Sequence, residues 1–150
     1  MKRTLELRTS PHVLSGYSVD TIMFNVVLAL VPVCLFAVAA FGWSAVVTLA
    51  AAVLSCLGTE RALSRGRRGT LGDWSVAITG ILYGLTLPPG LPVWMVVVGG
   101  VIGVGVGKTL FGGLGSNVFN PALFGRAFVQ AAFPAAMTTR LAAFDAARVS

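Results

Sequence analysis

Long runs without charged residues dominate the pattern of hydrophobic and polar positions along the chain. No charged residue occurs from Thr21 to Thr59, and none occurs from Trp74 to Gly107. A membrane-spanning helix needs about 20 mostly apolar residues, so each run has room for about two helices. A further apolar stretch lies between Pro121 and Pro134. The pattern therefore predicts an all-α integral membrane protein with about five transmembrane helices.

Glycine and proline divide these runs into separate spans. Phe41-Gly42-Trp43 is expected to reverse the chain between a first span at about 22–40 and a second at about 44–63. The third span starts near residue 74 and is stopped early by Pro88-Pro89, and the fourth runs from about 92 to 108 or 110. A short, proline-terminated span is typical of discontinuous transporter helices, and bilayer thinning or tilt explains it equally well.

Basic residues predict the orientation of the chain. They cluster in two segments, which contain Lys2, Arg3 and Arg8, and then Arg61, Arg65, Arg67 and Arg68. By the positive-inside rule, both segments are cytoplasmic. We therefore expect a cytoplasmic leader at 1–20, a five-helix membrane domain at 21–136 and an extracytoplasmic tail at 137–150.

Composition agrees with this class and excludes others. The chain is 56% hydrophobic and 11% charged, whereas soluble domains are about a quarter charged. The net charge of +6 comes largely from the two basic segments, so it does not indicate nucleic-acid binding. Cys34 and Cys56 lie inside apolar spans without Cys-x-x-Cys spacing, which supports neither a disulfide framework nor a metal site.

Two sets of glycines recur at four-residue spacing. Gly80 and Gly84 form a small face on the third span, and Gly99, Gly103 and Gly107 form one on the fourth. Such a face allows another helix to approach closely, and helix packing is the default interpretation. A flat ring system is the alternative occupant of the face on the fourth span.

The segment from 108 to 128 concentrates the candidate chemistry. It contains Lys108, Gly113, Asn117, Asn120 and Arg126 between long apolar runs. Asn followed by Pro is a helix-start signal, and a helix starting there directs free N–H groups and its positive dipole end at the preceding loop. The segment is interpreted either as a binding site or as a re-entrant turn that only reverses the chain.

The only charged side chain expected inside the fifth span is Arg126. An ionisable residue at membrane depth is by default a functional-site hypothesis. The alternative is that its long side chain reaches the cytoplasmic headgroups.

Several motifs in the chain resemble one family. They include Ser10-Pro11-His12, Leu85-Thr86-Leu87-Pro88-Pro89-Gly90, Phe111-Gly112-Gly113-Leu114-Gly115, Phe119-Asn120-Pro121-Ala122 and Gly125-Arg126-Ala127-Phe128. Over about residues 10–140 the chain looks like the D subunit of the Rnf ion-translocating electron-transport complex. The B subunit of the sodium-translocating NADH:quinone oxidoreductase is the close relative.

The resemblance implies a fold, cofactors and a location. It implies one five-helix repeat of an inverted-repeat, urea-transporter-like fold in the bacterial inner membrane. Riboflavin would be bound non-covalently near the cytoplasmic side, and FMN covalently through a threonine of a Ser-Gly-Ala-Thr type motif. Asn117 and Asn120 match the riboflavin-site motif, Gly113 lies in the matching glycine segment, and Lys108 and Arg126 are candidates for steadying a reduced, anionic flavin.

One departure from the family pattern is clear, because no Ser-Gly-Ala-Thr occurs in the sequence. The covalent FMN is therefore not assigned to this chain, and the missing motif and missing second repeat are interpreted as a fragment or a truncated product. The predicted function is that of a membrane subunit passing electrons between flavins, coupled to Na⁺ or H⁺ movement, within a complex of other subunits. A small-solute channel or transporter and a structural membrane scaffold are the alternatives.

Overall fold

All regular structure in the described part of the chain is helical, which confirms the all-α prediction there. The computed structural model describes residues 19–63, 74–109 and 119–138. Its elements are α1 (Val19–Phe41), α2 (Trp43–Leu63), α3 (Ser75–Thr86), α4 (Val93–Val104), a π-helical segment (Gly105–Thr109) that continues α4, α5 (Pro121–Ala132) and α6 (Pro134–Thr138). The first five α-helices lie where the hydrophobic pattern predicts spans, whereas the short α6 was not predicted.

Two helices have the length and apolar character needed to cross a membrane. The segments are Thr21–Phe41, with a mean hydropathy of 2.6, and Trp43–Leu63, with a mean hydropathy of 1.5. Helix α3 and the stretch Val93–Gly107 are also apolar but shorter. At 1.5 Å per residue, α3 is roughly 18 Å long, well below the ~30 Å thickness of a bilayer core.

The turns between these helices use glycine in the left-handed region of backbone space. Gly42 (φ 65°) is the single residue between α1 and α2, and Gly90 (φ 94°) lies in the proline turn between α3 and α4. A residue with a side chain is disfavoured at these φ values, so glycine permits both reversals. The Ser44 hydroxyl donates to the Phe41 carbonyl at 3.0 Å across the first turn.

Helices α2 and α4 form the centre of the packing. Helix α2 packs against α3 and α4, and α4 packs against α5, while α1 makes fewer contacts with its neighbours. The core cluster consists of Ala52, Cys56, Val76, Tyr83, Leu87, Leu91, Val96, Val104, Ala122 and Val129. These side chains come from α2 to α5 and the proline turn, so α1 is peripheral.

The small face of α3 packs against α2, as the glycine spacing predicts. A methyl group added at Gly80 would lie 2.8 Å from the Val53 Cα atom. One added at Gly84 would lie 3.1 Å from the Ala52 Cβ atom. The two helix backbones are therefore closer than an alanine at either glycine allows without a shift.

The glycine face of α4 is filled by α5 and by an aromatic side chain, so a helix occupies it rather than a flat ring ligand. A methyl group added at Gly103 would lie 2.7 Å from the Pro121 carbonyl oxygen, and one at Gly125 would lie 2.7 Å from the Gly99 carbonyl oxygen. A methyl group at Gly99 would overlap the Tyr83 hydroxyl. The glycines of both helices are thus needed for one close contact, named here the α4–α5 glycine seam (Gly99, Gly103, Gly107 and Gly125).

Candidate functional site

Helix α5 begins as its sequence predicts. The Asn120 Oδ1 atom accepts a hydrogen bond from the Ala122 N–H at 3.0 Å, and Pro121 occupies the first helical position. The Asn120 carbonyl accepts from the Phe124 N–H at 2.9 Å. The N-cap therefore holds the first turn of α5 in place and fixes the backbone of Asn120.

A groove lies along the outward side of this first turn and is named the Asn120 groove. It has a volume of about 380 Å³ and is lined by Phe119, Asn120, Leu123, Phe124 and Ala127. The Phe119 and Phe124 rings stack with centroids 6.0 Å apart and an interplanar angle of 29°. The volume is within the 300–1,000 Å³ range of small-molecule sites, and the described part of the wall is mostly apolar with one amide, as such sites commonly are.

The amide of Asn120 gives the groove its polar chemistry. An Asn side chain has one acceptor oxygen and an NH₂ group with two donors. The oxygen is used by the helix cap, and among the described residues no acceptor is hydrogen-bonded to the NH₂ group. The side chain is exposed. The groove therefore presents hydrogen-bond donors, next to the positive end of the α5 dipole, to a ligand with carbonyl or other acceptor groups.

The glycine seam positions this first turn. A methyl group at Gly107, in the π-helical segment, would lie 3.1 Å from the Pro121 Cα atom. Together with the Gly103 contact to the Pro121 carbonyl, this places the end of α4 directly against the start of α5. Pro121 and Ala122 are buried by that contact, while Asn120 stays exposed on the other side. The π-helical segment is of interest because such segments often lie at functional sites.

The structure places the predicted site residues in different situations. Asn120 lines the groove, whereas Arg126 is exposed on α5 and does not line it. The backbone of Lys108 belongs to the π-helical segment, but its side chain is not among the groups that the structure describes. Gly113 and Asn117 lie outside the described residues. Only Asn120 is therefore assigned to the groove by geometry, and the other four residues stay predictions.

Sequence reasoning did not identify several residues that shape this region. Phe119, Leu123, Phe124 and Ala127 line the groove. Ala127 lies three and four residues after Phe124 and Leu123, and this spacing is the signal that places these three on one face of α5, whereas Phe119 precedes the helix. Tyr83 was also missed: its buried hydroxyl donates to the Val96 carbonyl at 3.0 Å and links α3 to α4. An aromatic residue inside an apolar span gives no sequence signal for that bond.

Other buried polar groups lie away from the groove. Thr48, Thr59, Glu60 and Ser75 are all buried, and Glu60 is only 4% exposed. No group of three or more His, Cys, Asp or Glu side chains suited to a metal ion occurs among the residues that the structure describes.

Comparison with known proteins agrees with the resemblance seen in the motifs. The model of the NQR2, RnfD, RnfE family matches residues 6–149. The chain is 39% identical over 137 residues to the D subunit of the Na(+)-translocating ferredoxin:NAD(+) oxidoreductase complex of Acetobacterium woodii, covering 90% of this chain and 43% of that protein.

Two further relatives give the same pattern. Identity is 39% over 140 residues to the D subunit of the proton-translocating ferredoxin:NAD(+) oxidoreductase complex of Clostridium ljungdahlii, covering 92% of this chain and 42% of that protein. The identity is 40% over 140 residues to the D subunit of the ion-translocating oxidoreductase complex of Halorhodospira halophila, covering 89% of this chain and 38% of that protein. The chain thus spans about two fifths of the length of these relatives. It belongs to the NQR2, RnfD, RnfE family.

Proposed function

We propose that this chain serves as a membrane subunit of an ion-translocating electron-transport complex, in which electrons pass between flavins and drive Na⁺ or H⁺ movement. Membership of the family and the names of its relatives support this assignment. Its fold is proposed to be one five-helix repeat of an inverted-repeat, urea-transporter-like protein. The N-terminus is proposed to be cytoplasmic, in a bacterial inner membrane, with other subunits of the complex as partners.

The observation that carries the proposal is the pairing of the exposed Asn120 amide with two aromatic side chains in the lining of the Asn120 groove. The isoalloxazine ring of a flavin has carbonyl oxygens at one edge and an extended apolar face. The Asn120 NH₂ group is suited to the carbonyl edge, and the stacked Phe119 and Phe124 rings form an apolar wall for the ring face. Riboflavin bound without a covalent link is therefore proposed as the groove's ligand, with FMN as the cofactor of longer family members.

The chain's own contribution would be binding and orientation, because the redox chemistry is supplied by the cofactor. Asn120 would hold the ring edge, and the positive end of α5 would favour the negative charge of a reduced ring. Arg126 lies six residues further along the same helix and would add positive charge without lining the groove. Asn117, Lys108 and Gly113 are proposed to complete the site.

The test compares the absorption and fluorescence spectra of the purified chain before and after acid precipitation. Flavin released by acid is the expected result. Flavin that stays on the precipitated protein would reveal a covalent site, and absence of flavin would overturn the proposal that this groove holds it. Solute flux through liposomes that contain the flavin-free chain would instead support a channel or transporter. Intact assembly and unchanged electron transfer after replacement of both Asn117 and Asn120 by alanine would support a structural scaffold.

A substitution at position 120 separates binding from folding. Asn120→Asp keeps an oxygen that caps α5 but removes both donors, so we expect a folded protein with at least tenfold less bound flavin. Gln130→Glu is the matched control, because it makes the same amide-to-carboxylate change on the same helix at an exposed position outside the groove. Equal flavin content in both variants would contradict the assignment of the Asn120 donors.

A further inference from the structure

A second, smaller cavity lies at the opposite end of the helices from the Asn120 groove. It has a volume of about 50 Å³ and lies where α1 ends, α2 begins and α3 ends. Its walls include Phe41 of α1, Thr48 of α2, and Leu85, Leu87 and Pro89 at the end of α3. About 10–15 Å³ of such volume holds one water molecule, so this cavity accommodates a few particles of that size.

The double proline leaves one backbone carbonyl of this cavity without a helical partner. The carbonyl of Leu85 would accept from the N–H three or four residues later, and these residues are Pro88 and Pro89. Proline has no backbone N–H, so neither bond can form. The carbonyl of Gly84 does have a partner, because it accepts a hydrogen bond from the Leu87 N–H at 3.3 Å. Helix carbonyls point toward the C-terminal end, which here is the side of Leu87 and Pro89 in the cavity wall.

A buried hydroxyl supplies a second acceptor. Thr48 is 4% exposed, and its hydroxyl donates its only proton to the Ser44 carbonyl at 3.0 Å. A hydroxyl oxygen that donates its proton keeps its acceptor lone pairs. Among the described residues no donor is hydrogen-bonded to the Thr48 oxygen. Thr48 and Leu85, which both line the cavity, therefore each have an oxygen that can accept a hydrogen bond, and no other described lining residue has a polar side chain.

The partial charges around the cavity favour a cation. The C-terminal end of a helix is the negative end of its dipole, and α3 ends here. No described lining residue carries a charge. An acceptor-only, neutral site at a negative helix end favours a small cation over an anion, and hard cations prefer oxygen ligands of this kind.

We propose that this cavity, named the Thr48 cavity, is a low-affinity binding site for a partly hydrated monovalent cation of the Na⁺ type. The Thr48 hydroxyl and the Leu85 carbonyl provide two oxygen ligands, and water molecules in the rest of the cavity provide the others. Weak binding by neutral oxygens suits an ion that must also leave its site. The inference rests on the proposed function in that the bound ion would be one the complex moves.

The test is a titration of the purified chain in lipid nanodiscs with NaCl, at constant ionic strength maintained with choline chloride. The readouts are the ²³Na NMR linewidth and the midpoint of thermal unfolding. We expect saturable line broadening and a rise in the midpoint for the wild-type chain. Thr48→Val has nearly the same shape but lacks the oxygen, and we expect at least tenfold weaker Na⁺ binding, while Thr48→Ser should restore it.

Thr79→Val is the matched control. The Thr79 hydroxyl donates to the Ser75 carbonyl at 2.9 Å, which is the same backbone bond four residues away that Thr48 makes, but Thr79 does not line the cavity. Its Na⁺ response should equal that of the wild type. Pro89→Ala is a second variant that leaves α2 unchanged: it introduces an N–H group for the Leu85 carbonyl and should also weaken Na⁺ binding.

Two outcomes would overturn the proposal. The first is no response of the wild-type chain to Na⁺, Li⁺ or K⁺, which would mean that the cavity holds only water. The second is an unchanged Na⁺ response in both Thr48→Val and Pro89→Ala. Flavin content is recorded on the same samples, so failure of the cation site is distinguishable from failure of the flavin assignment.

Discussion

The two faces of α5 differ in what they require of a side chain. The inner face packs through Pro121, Ala122, Gly125 and Val129, all of which are buried against α4 and α3. The outer face carries the Asn120 groove, where the amide and the aromatic rings are accessible. On the inner face, the lack of space limits the size of the side chains. On the outer face, the hydrogen-bonding groups and aromatic rings determine what can bind. We therefore expect that binding and packing on this helix can be altered separately.

The largest expected effect comes from filling the inner face. Gly103→Ala places a methyl group 2.7 Å from the Pro121 carbonyl oxygen, and this contact is with backbone that cannot rotate away. We expect a loss of about 1–3 kcal/mol in the free energy of unfolding, as for other overpacked cores. SDS titration of the purified protein in mixed micelles measures the change.

Gly58→Ala is the control for that substitution. Apart from the nearby backbone of α2 itself, no atom of the described residues lies within 4 Å of the position a methyl group would take at Gly58, which is exposed on α2. Alanine in a helix interior is favoured over glycine by about 0.5–1 kcal/mol, so this variant should be as stable as the wild type or slightly more so. A loss of stability equal to that of Gly103→Ala would contradict the seam as the cause.

A smaller loss of stability is expected at Asn120, the N-cap residue that lies between the two faces. Asn120→Ala removes the oxygen that accepts from the Ala122 N–H, so we expect a loss of about 1 kcal/mol in the free energy of unfolding. Asn120→Asp keeps an acceptor and should cost less in the same SDS titration. If both variants lose equal stability, the cap does not hold the first turn, and binding and folding at this residue are not separable.

The smallest effect is expected at Tyr83, which touches the inner face from α3. Tyr83→Phe removes the hydrogen bond to the Val96 carbonyl and keeps the ring that fills the space beside Gly99 and Gly125. Because that carbonyl lies inside α4, where backbone donors remain, the loss should be about 0.5 kcal/mol, the lower end of the range for a hydrogen bond. Reduced stability with unchanged flavin content would support separate roles for the two faces of α5, whereas loss of flavin at full stability would contradict them.

The helix boundaries were predictable because proline and glycine limit the backbone directly. Pro88 ends α3, Gly42 permits the first reversal, and Asn120-Pro121 starts α5 by a local hydrogen bond that involves only neighbouring residues. The small face of α3 was predicted for the same reason, since four-residue spacing on a helix places glycines on one side.

Tertiary partners were not predictable from the same patterns. The spacing of Gly99 and Gly103 does not say that α5 and Tyr83 fill the space beside them, because several helices have small faces. The stacking of Phe119 on Phe124 and the π-helical segment before the loop depend on that packing as well. The roles of Gly113, Asn117 and the Lys108 side chain stay predictions, because they lie outside the described part of the chain.

The peripheral place of α1 has a consequence for biogenesis. Its most apolar 18-residue window has no buried residue and belongs to the segment with a mean hydropathy of 2.6. Such a helix leaves the translocon for lipid on its hydrophobicity alone and needs no partner helix. Helix α5 carries Arg126 and Gln130 and buries Gly125 against α4, so we expect its insertion to depend on a helix already in place. Assembly in the bilayer is therefore expected to begin with α1 and to end when α5 closes onto α4.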